Sequence, residues 1–181
     1  IQAAGGYSFV SCSDEAIEQS LIRMEDYPIV DLILGAEKAM LNEKMQQRIV
    51  DYTRQGGNLL VSGSYIGSIL PTSLSNNVLK FSHGGSMWGV TTGNVYGANT
   101  TFAFPTQVNE KSYAVPAPDC LLPANGSYST FVYTPGNYGA GIAYKGSDYR
   151  TFVLGFPLES IEGTQQRTQM MKAALGLFRS K

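Results

Sequence analysis

The chain has 181 residues, with 13 Lys and Arg against 14 Asp and Glu and a formal net charge of −1. Hydrophobic side chains make up 43% of it and charged ones only 15%, so a single domain spanning 1–181 can bury a substantial core without a disulfide or metal staple. No Lys/Arg cluster occurs, which argues against nucleic acid as a partner, and no apolar run approaches the ~18 residues that membrane insertion of a helix needs.

The opening, Ile1-Gln2-Ala3-Ala4-Gly5-Gly6, carries no leader pattern and reads as the interior of a longer polypeptide, or as a chain trimmed of its leader. Residues 7–12 alternate apolar and polar, which predicts a short strand. Ser13 and Asp14 then supply N-cap chemistry for a helix over 15–24, which Asp26-Tyr27-Pro28 breaks. Ile29–Gly35 is a nearly continuous apolar run around Asp31, the pattern of a strand buried on both faces. Leu41, Met45, Ile49 and Tyr52 recur at helical spacing, with Asn42 or a neighbour as cap and Gly56-Gly57 closing the helix. Asn58–Gly63 follows as a second buried strand, completing a βαβ unit.

From about residue 71 to 126 the pattern weakens. Pro71, Pro105, Pro116, Pro118 and Pro123 punctuate a β-rich insertion with short strands expected at 78–81, 101–104 and 112–115. Strands return at 129–134, 139–145 and 150–156, joined as hairpins across Pro135-Gly136-Asn137 and Gly146-Ser147-Asp148. A closing helix over 164–178 places Met170 or Met171, Ala174, Leu175 and Phe178 on one face. Together these elements predict an α/β fold. Its sheet is expected to be doubly wound and mostly parallel, with helices on both faces, antiparallel hairpin additions and a first βα unit lying upstream of Ile1.

In such a sheet ligands gather at the carboxyl ends of the strands. There the strand Asn58–Gly63 runs into Gly63-Ser64-Tyr65-Ile66-Gly67, which has the form Gly-x-nucleophile-x-Gly. The motif resembles the Gly-x-Cys-x-Gly elbow of class I glutamine amidotransferases and their superfamily, which includes intracellular proteases and trimerisation modules of some β-galactosidases. The later stretch Val153-Leu154-Gly155-Phe156-Pro157-Leu158-Glu159 is similar to that family's last strand and acid, with Glu159 at the acid position. The family's cysteine is Tyr65 here, and its histidine position holds Phe156 or Pro157. Acyl transfer from glutamine needs a base-activated thiolate near oxyanion donors, and a phenol with a pKa of about 10 is no substitute. The resemblance therefore implies a degenerate, noncatalytic module, of the kind found in secreted bacterial proteins labelled hydrolase or xanthan lyase.

The elbow residues Gly63, Ser64, Tyr65 and Gly67, with Glu37 at a strand end, form the candidate ligand-binding set. Tyr65 either plugs the former pocket or offers a ligand an aromatic face. Catalytic candidates reduce to Tyr65, His83 and Glu159. Ser62 and Ser64 flank the elbow without occupying its centre, and His83, the one histidine, sits in a Gly/Ser segment expected to be a loop. Glu159 and Glu162 are expected to charge the start of the closing helix, and Glu159 could face Glu37 across the crevice. A single histidine and two cysteines give no metal set and no cofactor motif, and Cys12 and Cys120 read as buried free thiols, with mutual pairing the alternative. Trp88, Tyr96, Phe102, Phe104 and Tyr113 serve either as core or as sugar-stacking platforms, and Asn99 and Asn125 begin glycosylation acceptor triplets. The expected function is scaffolding, domain docking or carbohydrate binding within a larger exported protein, secreted, periplasmic or at the cell surface. The expected partners are neighbouring domains of the same polypeptide and carbohydrate. The alternative is a hydrolase or polysaccharide lyase acting on a carbohydrate or peptidoglycan-type substrate through Tyr65, His83 and a carboxylate.

Overall fold

The computed structural model of the protein describes residues 1–97, 100–105 and 114–180. Two short helices, α1 (Gln2–Gly5) and α2 (Asp14–Glu18), and a 3-10 turn at Met24–Asp26 lead into β1 (Ile29–Gly35), α3 (Glu43–Arg54) and β2 (Asn58–Gly63). The helices α4 (Ile66–Ile69) and α5 (Thr72–Asn77) follow, then β3 (Phe81–Ser86), β4 (Thr92–Val95), β5 (Thr101–Ala103) and β6 (Asp119–Pro123). The chain ends in β7 (Tyr128–Thr134), β8 (Tyr138–Lys145), β9 (Arg150–Leu154), a 3-10 turn at Leu158–Ser160 and α6 (Thr164–Arg179).

Seven strands form one curled, mixed sheet in the order β1-β2-β9-β8-β7-β4-β5, and β3 pairs with β6 in a separate two-stranded ribbon. Only β1–β2 and β2–β9 run parallel, while β9–β8, β8–β7, β7–β4 and β4–β5 are antiparallel. The doubly wound, mostly parallel α/β fold expected from the sequence is therefore corrected to a mostly antiparallel sheet with a single βαβ unit. The physical reason lies in the middle of the chain. Residues 92–95 and 101–103 extend the sheet beyond β7 by direct hydrogen bonding, so the sheet grows by antiparallel neighbours and not by further crossovers. The apolar run of β1, read as buried on both faces, is an edge strand with Ile33 60% exposed.

Local corrections follow the same lines. Residues 7–12 form no strand, and the helix expected over 15–24 is reduced to the five residues of α2. The strand expected at 78–81 begins only at Phe81 and continues to Ser86, which places His83 in a strand and not in a loop. Residues 112 and 113 of another expected strand, Tyr113 among them, and Asn99 of the first acceptor triplet lie outside the described residues. Cys12 is exposed and Cys120 buried, both as free thiols.

Period-two alternation builds a core on each side of the sheet. Leu60, Phe131, Tyr133, Phe152 and Leu154 meet Met170, Met171, Ala174, Leu175 and Phe178 of α6 on one side. On the other, Leu59, Val61, Ile142 and Val153 meet Ile49 and Tyr52 of α3, Ile66 and Ile69 of α4, Leu74 of α5, and Phe81 and Leu121 of the ribbon. Asn42 caps α3 as its sequence position predicts, its Oδ1 accepting the Met45 N–H at 3.0 Å.

Candidate functional site

The end of β2 and the strand β6 build the site. At the apex of the β2–α4 turn, Tyr65 adopts a left-handed backbone conformation, φ 62° and ψ 7°. A side chain there costs roughly 1–2 kcal/mol relative to the right-handed form. The Ser64 N–H donates to the Gly35 carbonyl at 2.7 Å, which ties the turn to the end of β1. The Tyr65 ring is half-buried against the α3–α4 core, and the Lys38 ammonium lies 5.0 Å from its centroid. Its hydroxyl makes no hydrogen bond among the described residues. Ser62 and Ser64 are buried, and their hydroxyl oxygens have no hydrogen-bond partner among the described residues.

The residue that organises this region was missed by sequence reasoning: Asp119, fully buried at the start of β6. Its Oδ2 accepts the Gly67 N–H at 2.8 Å, its Oδ1 lies 3.3 Å from His83 Nε2, and the Ser86 hydroxyl donates to Oδ1 at 3.4 Å. Burial pushes its carboxyl up from the ordinary value, while the Gly67 amide and His83 pull it back. A β-carbon at position 67 would overlap the His83 ring, so glycine is needed there for the histidine to pack on α4. Behind Asp119 the backbone is held just as closely. The Asp119 N–H donates to the Gly155 carbonyl at 2.7 Å, and the buried Tyr133 hydroxyl lies 3.0 Å from the Asp119 carbonyl and 3.2 Å from that of Gly155. A side chain at Gly155 would strike the Asp119 carbonyl, so this glycine lets β6 cross the sheet.

The expected residues thus divide into groups. Gly63, Ser64, Tyr65 and Gly67 form one turn, and His83 joins it through Asp119. Glu37 is exposed, and its Oε1 accepts the N–H groups of Lys38 at 2.7 Å and Ala39 at 2.8 Å, which hold its carboxyl below the usual value. Glu159 belongs elsewhere. It lies in the 3-10 turn after β9, where its charge helps to raise Asp31 to about 6, an effect second to the burial of Asp31 itself. Asp31 Oδ1 is sealed from solvent without a hydrogen-bond partner among the described residues. Neither Glu159 nor Glu162 starts the closing helix, whose N-cap is Gly163 and whose first turn holds no acid. Phe102 and Phe104 are core, with Phe102 stacked 5.0 Å from Phe156, whereas Trp88 and Tyr96 are 72% and 65% exposed. Among the described residues no three His, Cys, Asp or Glu side chains stand close enough to hold a metal ion, and no helix is long and apolar enough to cross a membrane.

Chemically, the cluster is a buried acid that clamps an imidazole and a helix amide. The Ser62 and Ser64 hydroxyls that flank the apex are sealed from solvent, whereas the exposed Ser68 hydroxyl donates to the Tyr65 carbonyl at 2.8 Å. The hydrogen bonds from Gly67, Ser86 and His83 explain why Asp119 tolerates complete burial. Its sequence signal was slight: one acid opening the apolar run Asp119-Cys120-Leu121-Leu122, 52 residues from its elbow partner.

No protein-family model matches the chain. No curated protein matches it at the level of sequence. Among solved structures it is similar to the polyextremophilic β-galactosidase of the Antarctic haloarchaeon Halorubrum lacusprofundi, with a TM-score of 0.60 and 14% identity over 88% of this chain and 23% of that one. It is also similar to the mmIFT52 N-terminal domain, with a TM-score of 0.58 and 12% identity over 93% of this chain and 82% of that domain. A third is the exo-β-1,4-mannosidase Op5Man5 from Opitutaceae bacterium strain TAV5, with a TM-score of 0.53 and 8% identity over 85% of this chain and 26% of the enzyme. At such identities the likeness is one of fold alone. The chain spans about a quarter of the length of these two glycosidases.

Proposed function

We propose that this chain is a noncatalytic module of a larger exported bacterial protein, a degenerate relative of the amidotransferase-like superfamily that serves docking or carbohydrate binding. The observation that carries the reading is the apex of the β2–α4 turn. At the position that the resemblance gives to the attacking cysteine, the Tyr65 ring packs against the α3–α4 core, and the flanking Ser62 and Ser64 hydroxyls are buried. The nearest histidine is bonded to a buried acid that also secures α4. Activating a nucleophile requires one that a base can reach and a substrate can approach. The modular part of the reading is supported by the small share of the matched glycosidases that a chain of this length covers. The test is turnover by the purified chain with glutamine, p-nitrophenyl esters and p-nitrophenyl glycosides. None is expected, and hydrolysis abolished by Tyr65→Ala or His83→Ala would sink the reading.

A second reading, a hydrolase or lyase acting on carbohydrate, is favoured by one observation: the side chain of His83 is 30% exposed and lies against the elbow, with Asp119 behind it. The same assay decides between the two.

A further inference from the structure

A groove of about 920 Å³ runs between β7 and the end of α6, on the far side of the sheet from the elbow. Its size is at the upper end of the ~300–1,000 Å³ typical of small-molecule sites. We propose that this groove binds an uncharged saccharide chain, with Tyr96 and Tyr128 as stacking platforms. The proposal rests on the reading of the chain as a binding module and gives that module its ligand class.

Three features of the lining select the occupant. Among the described residues no Asp, Glu, Lys, Arg or His contributes to it, so the described lining offers a charged ligand no counter-charge. Tyr96 and Tyr128, which both line the groove, are 65% and 47% exposed, so both rings present surface to a ligand. The Tyr96 N–H donates to the Thr130 carbonyl at 2.8 Å, which fixes Tyr96 beside β7 two residues from Tyr128. A sugar ring matches this surface, since its axial C–H faces lie on aromatic rings while its hydroxyls need neutral donors and acceptors at the rim. The hydroxyls of Tyr96, Tyr128 and Ser129 and the amide of Asn137 supply those, for among the described residues none of them is engaged by protein.

Gly176 also lines the groove. It lies in the last turn of α6, where a β-carbon would meet nothing within 4 Å. Core packing does not require this glycine. Its missing side chain keeps the wall of the groove open, so residue 176 can be enlarged without disturbing the fold.

Calorimetric titration of the whole chain with cellohexaose, β-1,4-mannohexaose and β-1,4-galactohexaose, and with hexagalacturonate as the charged control, tests the proposal. At least one neutral hexasaccharide is expected to bind with a Kd below about 1 mM. Tyr96→Ala and Tyr128→Ala should each weaken binding about tenfold. Gly176→Leu should abolish binding while leaving the melting temperature at or above that of the parent. The proposal is overturned if no neutral hexasaccharide binds, if hexagalacturonate binds equally well, or if Gly176→Leu folds and still binds. Absence of binding together with absence of turnover removes the saccharide and leaves the noncatalytic reading intact. Turnover that depends on Tyr65 or His83 removes that reading instead.

Discussion

Replacing Asp31 by Asn removes a negative charge from a place where the fold opposes it. The carboxyl is raised from the ordinary 3.8 to about 6, first by burial and then by the charge of Glu159. That gap, at about 1.4 kcal/mol per pH unit, bounds the cost of the ionised form at roughly 3 kcal/mol. Asp31 is half-buried as a residue although its Oδ1 is sealed, so screening reduces the figure, and a gain of about 1–2 kcal/mol is expected for Asp31→Asn at neutral pH. The sign follows from proton linkage. A raised folded-state value means that the folded chain holds this proton more tightly than the unfolded chain does. The contribution of Asp31 is therefore fully present below about pH 4, declines as pH rises to about 6 and is level above that. Thermal unfolding at pH 4 and pH 7.5 reads the effect directly. At pH 7.5 the variant should melt roughly 2–8 °C above the parent, and at pH 4 the two should nearly coincide. Equal differences at both pH values, or a variant less stable at pH 7.5, would refute the placement of a strained charge at this edge of the sheet.

Tyr65→Gly and Tyr65→Ala both remove the ring, but only alanine keeps a β-carbon at φ 62°. The glycine variant should be the more stable by about 1 kcal/mol in urea titration, and equality would argue against a left-handed apex. Tyr133→Phe deletes one hydroxyl that serves the carbonyls of Asp119 and Gly155 in a fully buried setting. A loss of about 1–2 kcal/mol is expected, and a neutral result would mean that β6 is held over the sheet by other contacts.

The parts of this fold legible in the sequence are those whose signals are local. The 3.6-residue spacing of Met45, Ile49 and Tyr52 marks α3, and the turns at Pro135-Gly136-Asn137 and Gly146-Ser147-Asp148 mark the hairpins of β7, β8 and β9. The strand β4 carries no such mark. Thr92-Gly93-Asn94-Val95 has glycine and asparagine where strand formers are expected, and it is a strand because β7 lies beside it with a complementary ladder. The architecture was misread for the same reason, since an apolar run such as Ile29–Gly35 does not say whether one neighbour covers it or two. At the site, the Gly-x-Tyr-x-Gly turn was visible, because glycine spacing reports backbone shape. Asp119 was not, because its role depends on β6 crossing to within bonding distance of Gly67.

The central pairing of the sheet joins segments that are far apart along the chain. Leu59–Ser62 of β2 is matched with residues 151–154 of β9, and the Asn58 side chain accepts the Arg150 N–H from 92 positions away. Closing so long a loop carries an entropic cost that must be met before the ladder returns anything, which places the protein among slow folders. During synthesis the early βαβ unit has to wait, one flank of β2 unoccupied and Leu60 without the later side chains that cover its face, until β9 and α6 have been made. That interval is when a nascent chain of this topology is most open to chaperone capture and to pairing with the wrong strand.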